Sequence, residues 1–132
     1  MARHGSRLLS SKKYDDLSTQ LWELARERQA LTPTGERFGE AVAQITEVHD
    51  RVGYGQLSVL GEREHAQTAE RLDQRMSPVF ERAAADGLPL HIGTSGVERA
   101  VDSALGFRRA LIAATPELAA QLGEPQENRD LL

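Results

Sequence analysis

A mostly helical α/β fold with few strands and an incomplete sheet is what this 132-residue sequence predicts. Three observations predict it. Apolar residues recur at helical spacing along most of the chain, as in Phe38, Val42, Ile45 and Val48. One short apolar run, Leu88-Pro89-Leu90-His91-Ile92, ends at Gly93 and reads as a strand. A helical pattern follows it at once, with Val97, Val101, Ala104, Leu105 and Leu111. A single strand leaves its N–H and C=O groups needing partners, so the sheet it belongs to is incomplete here. The length fits one domain, residues 1–132, with no separate second domain.

Each element has its own signals. A first helix runs from about Asp15 to Ala30, carrying Leu17, Leu21, Trp22, Leu24 and Ala25, with Asp15 or Asp16 as its cap. Thr32-Pro33-Thr34-Gly35 breaks it. The second helix carries the stripe Phe38, Val42, Ile45, Val48, read as core, and ends at Gly53-Tyr54-Gly55. A third runs from near Glu62 to Met76 with Ala66, Ala69 and Leu72 inward. Ser77-Pro78 reads as the cap and first-turn proline of a short fourth helix, closed by Asp86-Gly87. After the strand, Thr94 or Ser95 can cap the next helix. Thr115-Pro116-Glu117 restarts a short helix ending at Gly123, and the polar stretch Glu124 to Asp130 reads as loose. The run Glu62-Arg63-Glu64 and the pair Arg108-Arg109 read as solvated faces, and His91 as a packed or edge residue.

Two motifs carry chemistry. The first is Arg3-His4-Gly5-Ser6-Arg7. An imidazole can attack phosphorus, each guanidinium can hold two phosphate oxygens in a planar fork, and glycine admits a phosphate close to the backbone. Alone, the stretch reads as an exposed basic tail, because short motifs recur by chance. The second is Thr94-Ser95-Gly96-Val97-Glu98-Arg99, continued by Ser103 and Phe107. It puts Arg99 near the first turn of a helix, where free N–H groups and the positive dipole end favour an anion.

Together the motifs resemble the histidine phosphatase superfamily, in its acid phosphatase and phytase branch. There a strand ends in Arg-His-Gly-x-Arg-x-Pro, and a later strand leads to a hydroxyl residue, an arginine, a serine and a phenylalanine. Ser95, Arg99, Ser103 and Phe107 follow that order. Leu60-Gly61, Ala69-Glu70-Arg71-Leu72 and Pro78-Val79-Phe80 are similar to the multiple inositol polyphosphate phosphatase group. The resemblance implies that His4 is the catalytic nucleophile and forms a phosphohistidine. It implies that Arg3, Arg7 and Arg99 bind phosphate and that the substrates are phosphomonoesters such as inositol polyphosphates. The sequence has no His/Asp/Glu cluster at metal-ligand spacing and no Gly-rich nucleotide loop, so no metal or cofactor is expected. Two departures stand out. Leu9 occupies the place of the family's proline. No His-Asp or His-Ala-Glu, the source of the general acid, follows Arg99; His49-Asp50 and His65-Ala66-Gln67 precede it and read as chance matches. The resemblance also implies an N-terminal portion of a larger, often exported enzyme, or a gene product cut at both sides. The rival readings are a non-catalytic phosphate-binding fragment and a helical interaction domain whose first motif is accidental.

The net charge of −4 lacks the basic footprint of non-specific nucleic-acid binding. The sequence contains no cysteine, hence no disulfide framework or cysteine metal site, and no segment apolar enough to span a bilayer. No signal peptide is visible, and the compartment stays open. Three expectations follow for the folded chain. The guanidiniums of Arg3, Arg7 and Arg99 converge around His4. Apolar surface is exposed and drives self-association. Turnover by this chain alone is small, with Asp50 or Glu98 the first acids to test if it is not.

Overall fold

The structure, a computed structural model, describes residues 2–128 and Asp130. In chain order its elements are α1 (Lys13–Glu27), α2 (Pro33–Val52), α3 (Val59–Ala85), β1 (Gly93–Thr94), α4 (Glu98–Ala114), a 3-10 turn (Pro116–Ala120) and β2 (Gln126–Glu127). It is 66% helical with a two-stranded parallel sheet, the mostly helical α/β class expected. The contacts divide it into two compact units. One comprises Met1–Arg7 and Leu57–Leu132, the other Leu8–Gln56.

The second unit is a hairpin of α1 and α2. Thr32 caps α2 by accepting a hydrogen bond from the Gly35 N–H (3.1 Å), and Pro33 takes the first-turn position where no N–H is needed. Trp22 of α1 is half-buried and donates its indole N–H to the Gly35 carbonyl (2.9 Å). Two expectations are corrected here. Asp15 and Asp16 do not cap α1: its N-cap is Lys12, with no side-chain cap. Asp15 is instead buried against α2. The stripe on α2 is not all core either. Val42 is buried, but Phe38, Ile45 and Val48 are 43%, 51% and 37% exposed. On α1, Tyr14, Leu17, Leu21 and Leu24 are exposed at the same kind of spacing. Periodicity shows which face of a helix is apolar, not what covers it.

The first unit holds the main apolar core, Ala69 and Phe80 of α3, Ala83, Leu111 of α4, Leu118 and Leu122. The third and expected fourth helices form one element, α3, with a break at Met76 (φ −125°, ψ 20°). Pro78 causes it, because its ring removes a backbone donor and crowds the preceding turn. So Ser77-Pro78 opens a second helical segment after the break at Met76, where the sequence placed a new start, and the two segments run on as one element. The strand also lies later than expected, at Gly93–Thr94, and Leu90 joins through an isolated parallel bridge to Leu122. Its partner is β2, in the stretch read as loose. Gln126 N–H donates to the Ile92 carbonyl (2.9 Å) and Asn128 N–H to that of Thr94 (2.8 Å). Arg108 is not merely solvated. Its Nε donates to the Leu122 and Gly123 carbonyls (3.1 and 3.0 Å) and holds the approach to β2 against α4. Met1, Arg129 of the stretch read as loose, Leu131 and Leu132 lie outside the described residues.

Candidate active site

The first motif is an extended loop whose backbone is gripped from several elements of the first unit. The grip begins with two glycines. A Cβ on Gly5 would strike the Gly61 carbonyl oxygen, and one on Gly61 would strike the Ser6 carbonyl oxygen. Both are buried, so the loop lies directly on the first turn of α3. Ser58, the N-cap of α3, gives its N–H and its hydroxyl to the Ser6 carbonyl (2.9 and 2.8 Å) while its Oγ accepts from Gly61 N–H (3.1 Å). Arg7 then pairs with Leu57 in an antiparallel bridge.

Side chains of α3 complete the hold. Glu64 Oε2 accepts the Ser6 N–H (2.7 Å) and Oε1 accepts the Ser6 hydroxyl (2.8 Å). The backbone hydrogen bond from Ser6, then the hydroxyl bond, holds the Glu64 carboxyl below its ordinary value. Glu64 is therefore not the solvated face residue expected. His65 Nε2 lies 3.1 Å from the Arg3 carbonyl. A carbonyl can only accept, so Nε2 carries the proton.

His4 is half-buried, with Nδ1 2.8 Å from the Gly5 carbonyl. By the same logic Nδ1 carries a proton. In a neutral ring this bond selects the tautomer whose lone pair lies on Nε2, the nitrogen able to attack.

The second motif meets the first through Ser103. Its Oγ accepts the buried Gly5 N–H (3.1 Å) and donates to the Arg99 carbonyl (2.7 Å). Two hydrogen bonds thus join the backbone beside His4 to the first turn of α4. Gly96, at φ 75°, makes the turn that starts this helix, and a Cβ there would crowd the Glu127 side chain of β2. The expected cap is corrected: the N-cap is Val97, with no side-chain cap bond. Thr94 is buried and its Oγ1 accepts from Gly96 N–H (3.0 Å) instead.

Arg99 is half-buried, and its Nε is fully buried with no hydrogen-bond partner among the described residues. Buried donors are normally satisfied, so this N–H is suited to an acceptor from outside the chain. Arg3 is exposed and Arg7 half-buried. Phe107 packs on the core. Among the described residues no group of three or more His, Asp and Glu side chains is placed to hold a metal ion, and no helix is long and apolar enough to cross a membrane. His49 and Asp50 do not form part of this loop. His49 is buried in the hairpin, with Nδ1 2.6 Å from Asp15 Oδ2, and Tyr54 donates its hydroxyl to the same oxygen (2.8 Å).

Glu64, Ser58 and His65 carry roles that motif reading does not reach. Each acts on loop backbone more than fifty positions away. Gly61, beside Leu60, is the visible trace of the close approach.

Known proteins bear on this geometry. The fold superposes on the multiple inositol polyphosphate phosphatase of Bifidobacterium longum in complex with phosphate, with a TM-score of 0.92 and 32% identity. The match covers 100% of this chain and 29% of that one. This chain is a structural relative of multiple inositol polyphosphate phosphatase. The apo form of that protein gives the same values. Its complex with inositol hexasulfate gives a TM-score of 0.89 and 32% identity, covering 100% of this chain and 30% of that one. No family model and no curated protein matches the chain. The likeness to multiple inositol polyphosphate phosphatase thus rests on fold together with identity, and the chain spans less than a third of that enzyme's length.

Proposed function

We propose that this chain supplies the nucleophile and phosphate cradle of a histidine-type phosphomonoester hydrolase acting on inositol polyphosphates. One observation carries the reading: Ser103 ties the His4 loop to the first turn of α4, where the Arg99 Nε is buried without an acceptor among the described residues. The related bacterial enzyme, solved with phosphate and with inositol hexasulfate, supports a phosphorylated inositol as substrate.

The chemistry has two steps. His4 Nε2 gives its lone pair to phosphorus, an N–P bond forms, and the ester P–O bond breaks toward the alcohol. The departing oxygen takes a proton from a carboxylic acid. Water then attacks phosphorus, the N–P bond breaks, and neutral His4 returns with release of phosphate. Arg3, Arg7 and Arg99 hold the peripheral oxygens and offset charge in both transition states. The acid has no motif after Arg99 in this sequence, and a placed acid typically contributes about a hundred- to ten-thousand-fold. This chain therefore binds phosphate and hydrolyses little. The exposed stripes of α1 and α2 support self-association as a companion property.

The test is phosphate release from p-nitrophenyl phosphate and inositol hexakisphosphate, with His4→Ala as control. Weak release abolished by His4→Ala, with phosphate binding lost in Arg99→Ala, upholds the reading. Binding without release favours a non-catalytic phosphate-binding role. Neither binding nor release sinks both.

A further inference from the structure

We propose that Glu64 is a positioning residue that sets the shape of the His4 loop for phosphate, an inference resting on the reading of His4 and Arg99 above. The loop's polar backbone groups are held one by one. Arg3 C=O is taken by His65, Gly5 N–H by Ser103, Gly5 C=O by His4 itself, and Ser6 C=O by Ser58. Glu64 takes the Ser6 N–H and the Ser6 hydroxyl together, one on each carboxylate oxygen. A bidentate, charge-assisted grip fixes orientation as well as distance.

The consequence runs through one peptide. The Gly5 carbonyl belongs to the peptide unit whose N–H is that of Ser6. Anchoring that N–H to Glu64 orients the carbonyl that holds His4 Nδ1 at 2.8 Å. The peptide is planar, so its two ends cannot turn independently. Glu64 thus acts on the His4 tautomer and ring direction without touching the ring. It reaches Ser6 because Gly61, one turn earlier on α3, lacks a side chain and lets the loop lie close.

Catalytic sites need such support, since a loop held loosely loses its productive geometry. A second feature fits. Glu64 withdraws the Ser6 N–H from the phosphate, which leaves anion binding to the arginines and the His4 ring.

The experiment uses the full chain with inorganic phosphate as the probe. Phosphate affinity is measured by calorimetry, and the His4 ring and Ser6 amide by 15N NMR. Glu64→Ala is expected to weaken phosphate about tenfold, to move the Ser6 amide signal, and to turn the His4 ring from the Nδ1-protonated form toward a mixture. Glu64→Gln is expected to restore most of the affinity, because its amide can still accept from Ser6 N–H and donate to Ser6 Oγ. Ser6→Ala, which keeps the N–H bond, should cost less than Glu64→Ala. If Glu64→Ala fails to fold, Glu64→Asp, whose carboxylate is one methylene short of Ser6, takes its place in the same comparison.

Unchanged phosphate affinity and an unchanged His4 tautomer in Glu64→Ala overturn the inference. So does a loss that Glu64→Gln does not restore. If the unsubstituted chain binds no phosphate, the functional reading falls separately. The His4 ring then decides: a tautomer that persists in Glu64→Ala refutes the positioning role, and one that is lost upholds it.

Discussion

The two compact units are held in opposite ways. The unit of α3, α4 and the small sheet buries an apolar cluster, with Leu111, Leu118 and Leu122 at 2% exposure or less. Its polar bonds grip the His4 loop. The hairpin of α1 and α2 buries little beyond Val42 and instead encloses Asp15, His49 and Tyr54 in one hydrogen-bonded set. Its large apolar residues are mostly exposed. The candidate site therefore sits on the unit whose stability comes from non-directional burial. The hairpin depends on a few directional contacts, each costly to break.

The largest expected effect breaks that contrast most directly. Asp15→Ala leaves the His49 ring without its buried acceptor and removes the Tyr54 bond. Loss of one partner from such a buried set destabilises by about 3 kcal/mol. Hydrogen exchange should show α1 and α2 amides exchanging faster while those of α3 and α4 keep their protection. Equal loss in both units would mean that they unfold as one and that the contrast is wrong.

Gly61→Ala makes the complementary change in the other unit. The added methyl meets the Ser6 backbone, which cannot yield cheaply. Overpacking of this kind costs about 2 kcal/mol. Phosphate affinity should fall with stability, and α1 and α2 protection should not.

Much of the helical plan is legible in the sequence. Thr32-Pro33, Gly53 and Asp86-Gly87 mark real helix ends, because capping and turn chemistry are local. Strand position is not legible. The apolar run at Leu88–Ile92 carries the strand signal, yet pairing centres on Gly93–Thr94 because its partner, Gln126–Glu127, is polar and exposed. Nothing in an apolar pattern announces a polar partner thirty-three positions away. Asp15 reads as a cap for the same reason: its true partner is on another helix. At the site, the Arg-His-Gly-x-Arg letters and Ser103 are readable. Glu64 is not, since a carboxylate that binds backbone looks in sequence like any other helix-surface glutamate.

The pH dependence should differ between the units. In the first, the folded Glu64 value is lowered, so its stabilisation is present above the ordinary value of 4.5 and lost as pH falls through the lower folded value. Glu64→Gln should remove that acid limb from the Ser6 amide signal. In the hairpin, burial and then the Asp15 bond raise the Tyr54 hydroxyl from 10.0 to about 12. That stabilisation is complete below 10.0 and lost as pH rises through about 12. Tyr54→Phe should flatten the alkaline limb of a thermal melt series. A limb that survives either substitution assigns it elsewhere.

The smallest effect concerns the exposed stripes. Ile45→Glu together with Leu21→Glu should leave thermal stability within about 0.5 kcal/mol, as surface changes do. Concentration-dependent sedimentation should weaken in the same variant. A marked loss of stability would show those side chains to be part of the hairpin's own core.

The central claim is that His4 and Arg99 serve one anion. Following the His4 ring 15N signals during titration with inorganic phosphate tests it most directly. The expected result is a saturable shift in the unsubstituted chain that Arg99→Ala abolishes while the fold is kept. An identical shift in Arg99→Ala, or phosphate binding that never moves the His4 ring, would contradict it.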